Sequence, residues 1–145
     1  MEIINKKAKF DYFIKEVYEA GIVLTGTEIK AVRSGLCNIK DSYGVLKKNE
    51  VFLLNMYIGE YKEGNIFNHN ERRSRKLLLH KKEIKKLINY VKIEGYTLVP
   101  LKLYFKNNLL KVELGICKGK KTYDKRDSIK ERDINLNIKK KIKQY

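Results

Sequence analysis

The residue types that most often carry catalysis or bind metals are sparse in this sequence. Its two histidines, His69 and His80, are eleven positions apart and form no H-E-x-x-H or comparable metal-binding pattern. Its two cysteines, Cys37 and Cys117, lack C-x-x-C spacing, so neither a zinc site nor a disulfide framework is expected. No glycine-rich loop has the spacing that cradles a phosphate. The sequence therefore predicts that the protein is not an enzyme and uses no cofactor or metal.

Arginines and tyrosines supply chemistry that suits binding instead. The segment "NERRSRK" places Arg72, Arg73, Arg75 and Lys76 together ahead of an apolar segment. Guanidinium groups can fork onto phosphates and stack on bases. This spacing predicts that Arg73, Arg75 and Lys76 contact a nucleic acid.

Tyr123 stands out among the ten tyrosines because it lies in a basic segment with little core to fill. Its neighbours are Lys120, Lys121, Lys125 and Arg126. An aromatic ring in such surroundings favours stacking on an unpaired base.

The overall charge points to a polyanionic partner. The 145 residues carry a formal net charge of +16 and a pI near 9.7, which attracts nucleic acid, anionic membranes or the ribosome. Lysine far outnumbers arginine, however, so part of this charge can equally be a solvated surface. Both interpretations stay open at this point.

Several features predict a cytoplasmic protein without a membrane partner. No apolar stretch approaches the ~20 residues needed to span a bilayer. The first residues, "MEIINKKAKF", lack the apolar core of a signal peptide. Two unpaired cysteines fit a reducing compartment.

The elements that must position the binding residues are mostly strands. Alternation predicts a hairpin in which Thr97, Val99, Leu101, Leu103 and Phe105 share one face of the first strand. Its second strand has apolar residues at every second position up to a predicted end at 118, and a two-asparagine turn joins the strands. Pro100 predicts an edge or a bulge.

Further segments complete a small β-rich domain. A second hairpin is predicted with its turn near Lys48 and Asn49, and a long strand is predicted to bend at Ala20 and Gly21. "RKLLLH" is typical of a short buried strand. Two short helices are expected, in "TGTEIKAVRSG" and "HKKEIKKLINYVKIEG". The predicted fold is mostly β, a small OB-like antiparallel β-barrel over residues 1–118.

Residues 119–145 are predicted to form a separate basic tail. From 118 to 145 there are eleven basic and four acidic residues, and apolar residues are too sparse to offset the entropy of ordering. Ile134, Ile138 and Ile142 nevertheless recur at helical spacing. A frayed tail and a tail disordered in isolation that becomes helical on a polyanionic surface both fit this pattern.

Four motifs, in order along the chain, resemble those of the SsrA-binding protein family. They are "YEAGIVLTGTEIKAVRSG", "NIKDSY", "RSRKLLLH" and "GKKTYDKR". The resemblance runs from Asn5 into the tail. It implies an OB-like protein that binds the tRNA-like domain of transfer-messenger RNA and delivers it to ribosomes stalled on messages without a stop codon. It also implies that the tail enters the decoding region and the empty message channel, becoming helical there.

The resemblance also implies roles for individual residues. Asn5, Glu19, Leu78 and Lys111 match family positions tied to RNA binding, with Leu78 expected to support the RNA-binding face from the core. Glu19 would accept hydrogen bonds from base edges or orient a nearby arginine. The remaining residues expected to bind RNA are basic or lie in the "GKK" motif: Lys7, Arg33, Arg73, Arg75, Lys76, Lys118, Gly119, Lys120 and Lys121. Residues expected in the decoding region are Tyr123, Asp124, Lys125 and Arg126, and those expected in the tail helix are Ile134, Ile138 and Ile142.

Two alternatives remain beside the implied adaptor, which is expected to act as a monomer. A structural ribosomal protein with a basic tail would have the same charge pattern, and would sediment with every ribosome. A ribonuclease would cleave transfer-messenger RNA in the presence of a metal ion.

Overall fold

Antiparallel strands make up most of the computed structural model, which describes residues 2–61 and 69–120. The strands are β1 (Glu2–Ile4), β2 (Tyr12–Ile22), β3 (Cys37–Asn38), β4 (Tyr43–Lys47), β5 (Glu50–Leu54), β6 (Tyr57–Ile58), β7 (Arg75–Leu78), β8 (Thr97–Lys106) and β9 (Leu109–Gly119). The helices are α1 (Lys6–Asp11), α2 (Gly26–Arg33) and α3 (Lys81–Ile88), the last continued by a π-helical turn (Asn89–Ile93).

The main sheet closes on itself. Its strand order is β1-β8-β4-β5-β7-β2-β9, and β9 also pairs with β8. Six strands therefore form a closed ring, with β1 added at the outer side of β8. This confirms the prediction of a mostly β, OB-like fold, and closure removes the exposed edges at which a flat sheet could pair with another chain.

Tight turns set the register of both predicted hairpins. The β8–β9 turn uses Asn107 and Asn108, and the β4–β5 turn uses Lys48 and Asn49, all four with φ between 51° and 64°. Positive φ at both central residues is the mark of a type I′ turn, whose twist matches that of the flanking strands. The turn residues predicted from the sequence are confirmed in both hairpins.

A bulge in β8 divides its apolar residues between two cores. The pairing of β8 with β9 shifts register between Pro100 and Lys102, as proline in a strand predicts. Leu103 therefore lies in the main core inside the barrel, whereas Val99 and Leu101 lie in a small second core with Ala8 and Cys117. The prediction that all the alternating apolar residues of β8 share one face is wrong, because the extra residue at the bulge reverses the alternation.

Helix α1 covers the second core from outside the barrel, and the sequence did not predict it. Only six residues long, it is too short to show helical periodicity. The side-chain oxygen of Asn5 caps it by accepting a hydrogen bond from the Ala8 amide at 3.0 Å. Gly115 makes room beneath it, since a Cβ at this position would lie 2.7 Å from Leu101 Cδ1.

The two predicted helices are confirmed, with one difference in the long strand that precedes them. Thr25 and Glu28 form a capping box at the start of α2. Strand β2 is irregular between Ile14 and Glu16, not at the predicted bend near Ala20 and Gly21. Gly21 stays in register with its neighbours on both sides.

The end of β9 lies close to the predicted domain boundary. The strand ends at Gly119, one residue beyond the predicted limit. The tail from residue 121 onward lies outside the described residues, so the domain boundary and the behaviour of the tail stay predictions. No helix among the described residues is long and apolar enough to cross a bilayer.

Candidate RNA-binding surface

Four neighbouring strands bring residues from distant parts of the sequence into one row on the outside of the barrel. Gly21 of β2 is in register with Leu78 of β7 on one side and with Lys111 of β9 on the other. Lys111 is in turn opposite Tyr104 of β8. Residues paired across antiparallel strands point to the same face of a sheet. We call Leu78, Gly21, Lys111 and Tyr104 the outer row.

The alternation of side chains along each strand shows that the outer row faces away from the core. Leu77, Val112 and Leu103 are buried in the barrel, and each is the immediate neighbour of an outer-row residue. Leu78 is 52% exposed. The prediction that Leu78 supports the RNA-binding face from the core is therefore wrong, because "KLLL" has no alternation that could show which leucine points inward.

Gly21 lets Leu78 lie across the row. A Cβ at Gly21 would lie 3.4 Å from the Cβ of Leu78 and 3.6 Å from its Cδ1. These are ordinary contact distances, so the Leu78 side chain lies directly beside the Gly21 position. The resulting surface offers an apolar side chain beside a lysine and an aromatic ring.

Glu19 lies beside the outer row, two residues before Gly21 on β2. It accepts a hydrogen bond from the Tyr104 hydroxyl, and Lys106 Nζ lies 3.5 Å from its carboxylate. The Tyr104 hydrogen bond, together with nearby lysines, lowers the pKa of Glu19. Burial and the Glu19 carboxylate raise the pKa of Tyr104 to about 12. At neutral pH the pair therefore consists of an ionised carboxylate and a phenol that donates to it.

The sequence missed Tyr104 and Lys106 as members of this surface. Glu19 was expected to meet base edges or an arginine, but its partners in the structure are a tyrosine and a lysine from β8. Both were visible in the sequence as residues that alternate with the apolar Leu103 and Phe105. Their proximity to Glu19, 85 residues away from Tyr104 along the chain, needs the pairing of β2, β9 and β8.

Asn5 lies elsewhere and has a structural role. It is 3% exposed, and its side-chain amide donates to the carbonyl oxygens of Pro100 at 2.9 Å and Ile39 at 3.2 Å. Its side-chain oxygen caps α1. These bonds occupy the side chain inside the protein and give Asn5 a structural role, while its part in RNA binding stays a prediction.

One arginine of the predicted cluster is internal. Arg75 is fully buried; its Nε donates to Glu28 Oε2 at 2.7 Å and its Nη1 to the Met56 carbonyl at 2.7 Å. Arg73 Nε also donates to Glu28 Oε2, at 2.9 Å, and remains partly exposed. Glu28 therefore holds Arg75 inside the protein and also holds Arg73, and RNA binding by these two arginines stays a prediction.

Glu28 is the acceptor that organises this network. Burial raises its pKa, but hydrogen bonds from Arg73, the Thr25 amide and Arg75 outweigh burial, so the pKa of Glu28 is lowered overall. Burial lowers the pKa of Arg75. The two arginines thereby fasten α2 to β7 and to the loop before it.

The other basic residues of the prediction lie at several places on the surface. Lys76 forms an ion pair with Glu50 at 2.6 Å, and Lys7 lies 3.5 Å from Asp41. The Arg33 guanidinium lies 4.5 Å from the centre of the Phe105 ring. These three are not brought into the outer row.

At the end of β9, the amino groups of two lysines lie over aromatic rings. Lys118 Nζ lies 4.5 Å from the Tyr96 ring centre and Lys120 Nζ 5.5 Å from that of Phe13. Gly119 separates them as the last strand residue. The remaining predicted residues lie outside the described part of the chain: Lys121, Tyr123, Asp124, Lys125, Arg126, Ile134, Ile138 and Ile142.

Within the described part of the chain, the histidines and carboxylates form no metal centre. Across residues 2–61 and 69–120 no group of three or more potential ligands is placed to hold an ion. His69 instead connects elements, its Nδ1 lying 2.9 Å from the Thr27 hydroxyl and its Nε2 2.8 Å from the Ile58 carbonyl oxygen.

Comparison with known proteins identifies the family of this chain. The family model described as "SmpB protein" matches residues 2–144. The chain is 58% identical over 140 residues to the SsrA-binding protein of Geobacillus kaustophilus (strain HTA426), covering 97% of this chain and 90% of that protein. It is 57% identical over 141 residues to the SsrA-binding protein of Caldicellulosiruptor bescii, covering 97% and 89%.

A solved structure shares the fold as well. It is described as "tmRNA-SmpB: a journey to the center of the bacterial ribosome", and it matches with a TM-score of 0.69 at 45% sequence identity, covering 82% of this chain and 84% of that one. Sequence and structure thus agree over most of the chain, and the protein belongs to the SmpB family of SsrA-binding proteins.

Proposed function

We propose that this protein is an RNA-binding adaptor of trans-translation. It binds the tRNA-like domain of transfer-messenger RNA and delivers that RNA to ribosomes stalled on messages lacking a stop codon. The observation that carries the proposal is the outer row, which joins Leu78 and Lys111 beside Glu19. Relatives named SsrA-binding protein and a solved structure described as tmRNA-SmpB on the ribosome support it.

The chemistry of the outer row suits a folded RNA. Lys111 and Lys106 supply positive charge for phosphates, and Leu78 and the Tyr104 ring supply apolar surface for sugars or exposed bases. Glu19, with its lowered pKa, stays an acceptor at neutral pH and can receive hydrogen bonds from amino groups on base edges. One surface thus combines positioning contacts with a contact that can discriminate among bases.

The tail extends this role to the ribosome. Lys118, Gly119 and Lys120 lead out of β9 into a segment in which Tyr123, with its basic neighbours, is proposed to stack in the decoding region. Ile134, Ile138 and Ile142 are proposed to form one face of a helix in the empty message channel. We further propose that the protein acts in the cytoplasm as a monomer, without a catalytic step of its own.

The RNA that co-purifies with the protein from cells tests this function. Transfer-messenger RNA should be strongly enriched over its share of total RNA, and only a small fraction of ribosomes should carry the protein. Co-sedimentation with every ribosome would favour a structural ribosomal protein instead. Metal-dependent cleavage of purified transfer-messenger RNA would favour a nuclease.

A further inference from the structure

A hydrogen bond from Tyr104 fixes the orientation of Glu19 beside the outer row. Strand β9 lies between β2, which carries Glu19, and β8, which carries Tyr104. The Tyr104 side chain crosses β9, and its hydroxyl donates to Glu19 Oε2. Hydrogen bonds to an ionised carboxylate are about twice as strong as those between neutral groups. Tyr104 therefore determines which way the carboxylate of Glu19 points.

The second carboxylate oxygen of Glu19 has a partner that can exchange. Lys106 Nζ lies 3.5 Å from Oε1, in an ion pair whose lysine and glutamate side chains are 58% and 40% exposed. Such exposed pairs contribute little to stability, because water and salt compete for both charges. Lys106 can therefore leave Oε1 for a phosphate at little cost. Oε1 is then able to accept from another donor while Oε2 stays bound to Tyr104.

The position of Glu19 is unfavourable for the stability of the sheet. Glu19 is paired in register with Glu113 of β9, so the two side chains share one face. Like charges directly opposite each other on neighbouring strands are destabilising. Lys102 Nζ, 3.8 Å from the Glu113 carboxylate, relieves part of this repulsion. A carboxylate kept at such a place suits a role in binding better than a role in folding.

An ionised carboxylate selects among the groups that an RNA presents. It is repelled by phosphates, and it gains nothing from carbonyl oxygens or ring nitrogens that are themselves acceptors. The exocyclic amino groups of bases are donors, and Glu and Asp side chains accept from them in the recognition of base edges. Ribose 2′-hydroxyls can also donate, but they are present at every nucleotide and do not distinguish one base from another.

We propose that Tyr104 is a positioning residue for RNA recognition: its hydroxyl holds Glu19 Oε2 and thereby directs Oε1 towards the exocyclic amino group of one RNA base, while Lys106 moves from Oε1 to a neighbouring phosphate. The inference rests on the proposed function, since the RNA is the same and the carboxylate lies beside the outer row. It gives the Tyr104 hydroxyl a role distinct from that of the ring, which supplies apolar surface.

A double-mutant cycle in binding of the tRNA-like domain to the full chain tests this role. Tyr104→Phe, which keeps the ring, should weaken binding about five-fold at neutral pH. The same substitution in a Glu19→Ala chain should cause no further loss, because the hydroxyl acts through the carboxylate. Tyr43→Phe removes a hydroxyl from another exposed tyrosine, on β4, and is the matched control that should bind like wild type.

Two results of the cycle would overturn the inference. Equal losses in both backgrounds would show that the Tyr104 hydroxyl acts independently of Glu19. No loss in either background would show that the hydroxyl takes no part in binding. Each affinity is measured well below the Tm of the variant concerned, so that a change in stability does not enter the comparison.

A carboxyl titration of the free chain, followed by NMR, shows whether the hydrogen bond orients Glu19 in solution. The Tyr104 hydrogen bond is the largest influence on the pKa of Glu19 and lowers it. Tyr104→Phe should therefore raise the pKa of Glu19 towards its ordinary value. The other charged groups near this carboxylate, Lys106, Lys111 and Glu113, are the same in both chains. An unchanged pKa would contradict the inference.

Analogue substitution in the RNA identifies the base. Inosine for guanosine, purine riboside for adenosine and zebularine for cytidine each remove one exocyclic amino group. One such loss should weaken binding to wild type about five-fold and have no effect on binding to the Glu19→Ala chain. If only a 2′-deoxy substitution shows this dependence on Glu19, or if no analogue does, the inference fails.

Failure of the inference and failure of the proposed function give different results. If Lys111→Ala weakens binding while neither Tyr104 nor any amino group is coupled to Glu19, the inference fails and the proposed function stands. If wild type shows no preference for the tRNA-like domain over other RNA, the proposed function and the inference fail together.

Discussion

Leu78 and Lys111 lie on either side of Gly21, in register across three strands on the outside of the barrel. They are 33 positions apart in the sequence, and only the antiparallel order β7-β2-β9 brings them together. An apolar side chain and a cation, separated by one glycine, form an outer surface that takes no part in packing the core. That relationship is the structural basis of the predictions for Lys111 and Leu78.

Lys111→Ala should weaken binding of the tRNA-like domain and make it less dependent on salt. If Lys111 neutralises one phosphate, the slope of log K against log salt should fall in magnitude by about 0.7–0.9. Binding isotherms at several salt concentrations measure this slope. Lys81→Ala, on the exposed side of α3, is the control and should leave the slope unchanged. An unchanged slope in Lys111→Ala would show that Lys111 does not contact the RNA.

Leu77 and Leu78 are adjacent leucines with opposite orientations and therefore form a matched pair. Leu77→Ala should destabilise the fold by about 2–5 kcal/mol, because Leu77 is buried in the main core. Leu78→Ala should change stability by no more than about 0.5 kcal/mol, because Leu78 is largely exposed.

RNA affinity should show the reverse order for this pair. Leu78→Ala should weaken binding of the tRNA-like domain, whereas Leu77→Ala should bind normally under conditions where it is folded. Denaturant unfolding and RNA titration on the same samples give both quantities. A large loss of stability in Leu78→Ala would place its side chain in the core after all.

Substitution of an arginine that pairs with the buried Glu28 carboxylate should mainly lower the stability of the fold. Arg75→Ala removes a guanidinium that donates to Glu28 and to the Met56 carbonyl. Leaving a buried carboxylate partly unpaired should cost about 3–5 kcal/mol of unfolding free energy. Lys76→Ala, next in sequence but paired with Glu50 at the surface, should cost less than about 1 kcal/mol. Equal effects in thermal or denaturant unfolding would contradict the internal role of Arg75.

Acid should weaken the same network. The pKa of Glu28 in the folded state lies below its ordinary value of 4.5. Its ionisation therefore stabilises the fold above about pH 4.5, and this contribution is lost as pH falls through the folded pKa. The Tm of wild type should fall more steeply than that of Glu28→Gln between pH 5 and the acid limit. Parallel curves would mean that Glu28 does not couple folding to protonation.

Removal of the tail should separate RNA binding from ribosome rescue. A chain ending after Gly119 keeps the outer row and should keep most of its affinity for the tRNA-like domain. It should fail to rescue stalled ribosomes, because the residues proposed for the decoding region are gone. Normal rescue by the shortened chain, measured as tagging of stalled peptides in a reconstituted system, would show that the tail is dispensable.

Local patterns were enough to predict the hairpins, while partners distant in sequence were not predictable. Asn107 and Asn108 predict a tight hairpin turn by residue type alone, and the structure has a turn at these residues. Arg75 was assigned to RNA because a cluster of arginines has the same pattern whether it faces a phosphate or a buried carboxylate. Its partner Glu28 is 47 residues away, and nothing local indicates the pairing.

The same limit explains the orientation of Leu78 and the missed first helix. Of the three consecutive leucines, Leu77 and Leu78 lie in β7 and Leu79 follows it. Such a run gives no alternation, so the barrel register decides which leucine faces outward. Helix α1 is held by the cap from Asn5, which is a local interaction, and by packing on β8. That packing is a tertiary interaction and outweighs the weak propensity of six residues. The bulge at Pro100 was expected from proline, but its reversal of the apolar face needs the observed pairing with β9.

The central claim is that the outer row recognises a folded, tRNA-shaped RNA. Its most direct test compares, at physiological salt, the affinity of the full chain for the tRNA-like domain with its affinity for random RNA of equal length. We predict a preference of at least about ten-fold, which the double variant Leu78→Asp and Lys111→Glu should abolish while remaining folded. Equal affinity of wild type for the two RNAs would contradict the claim.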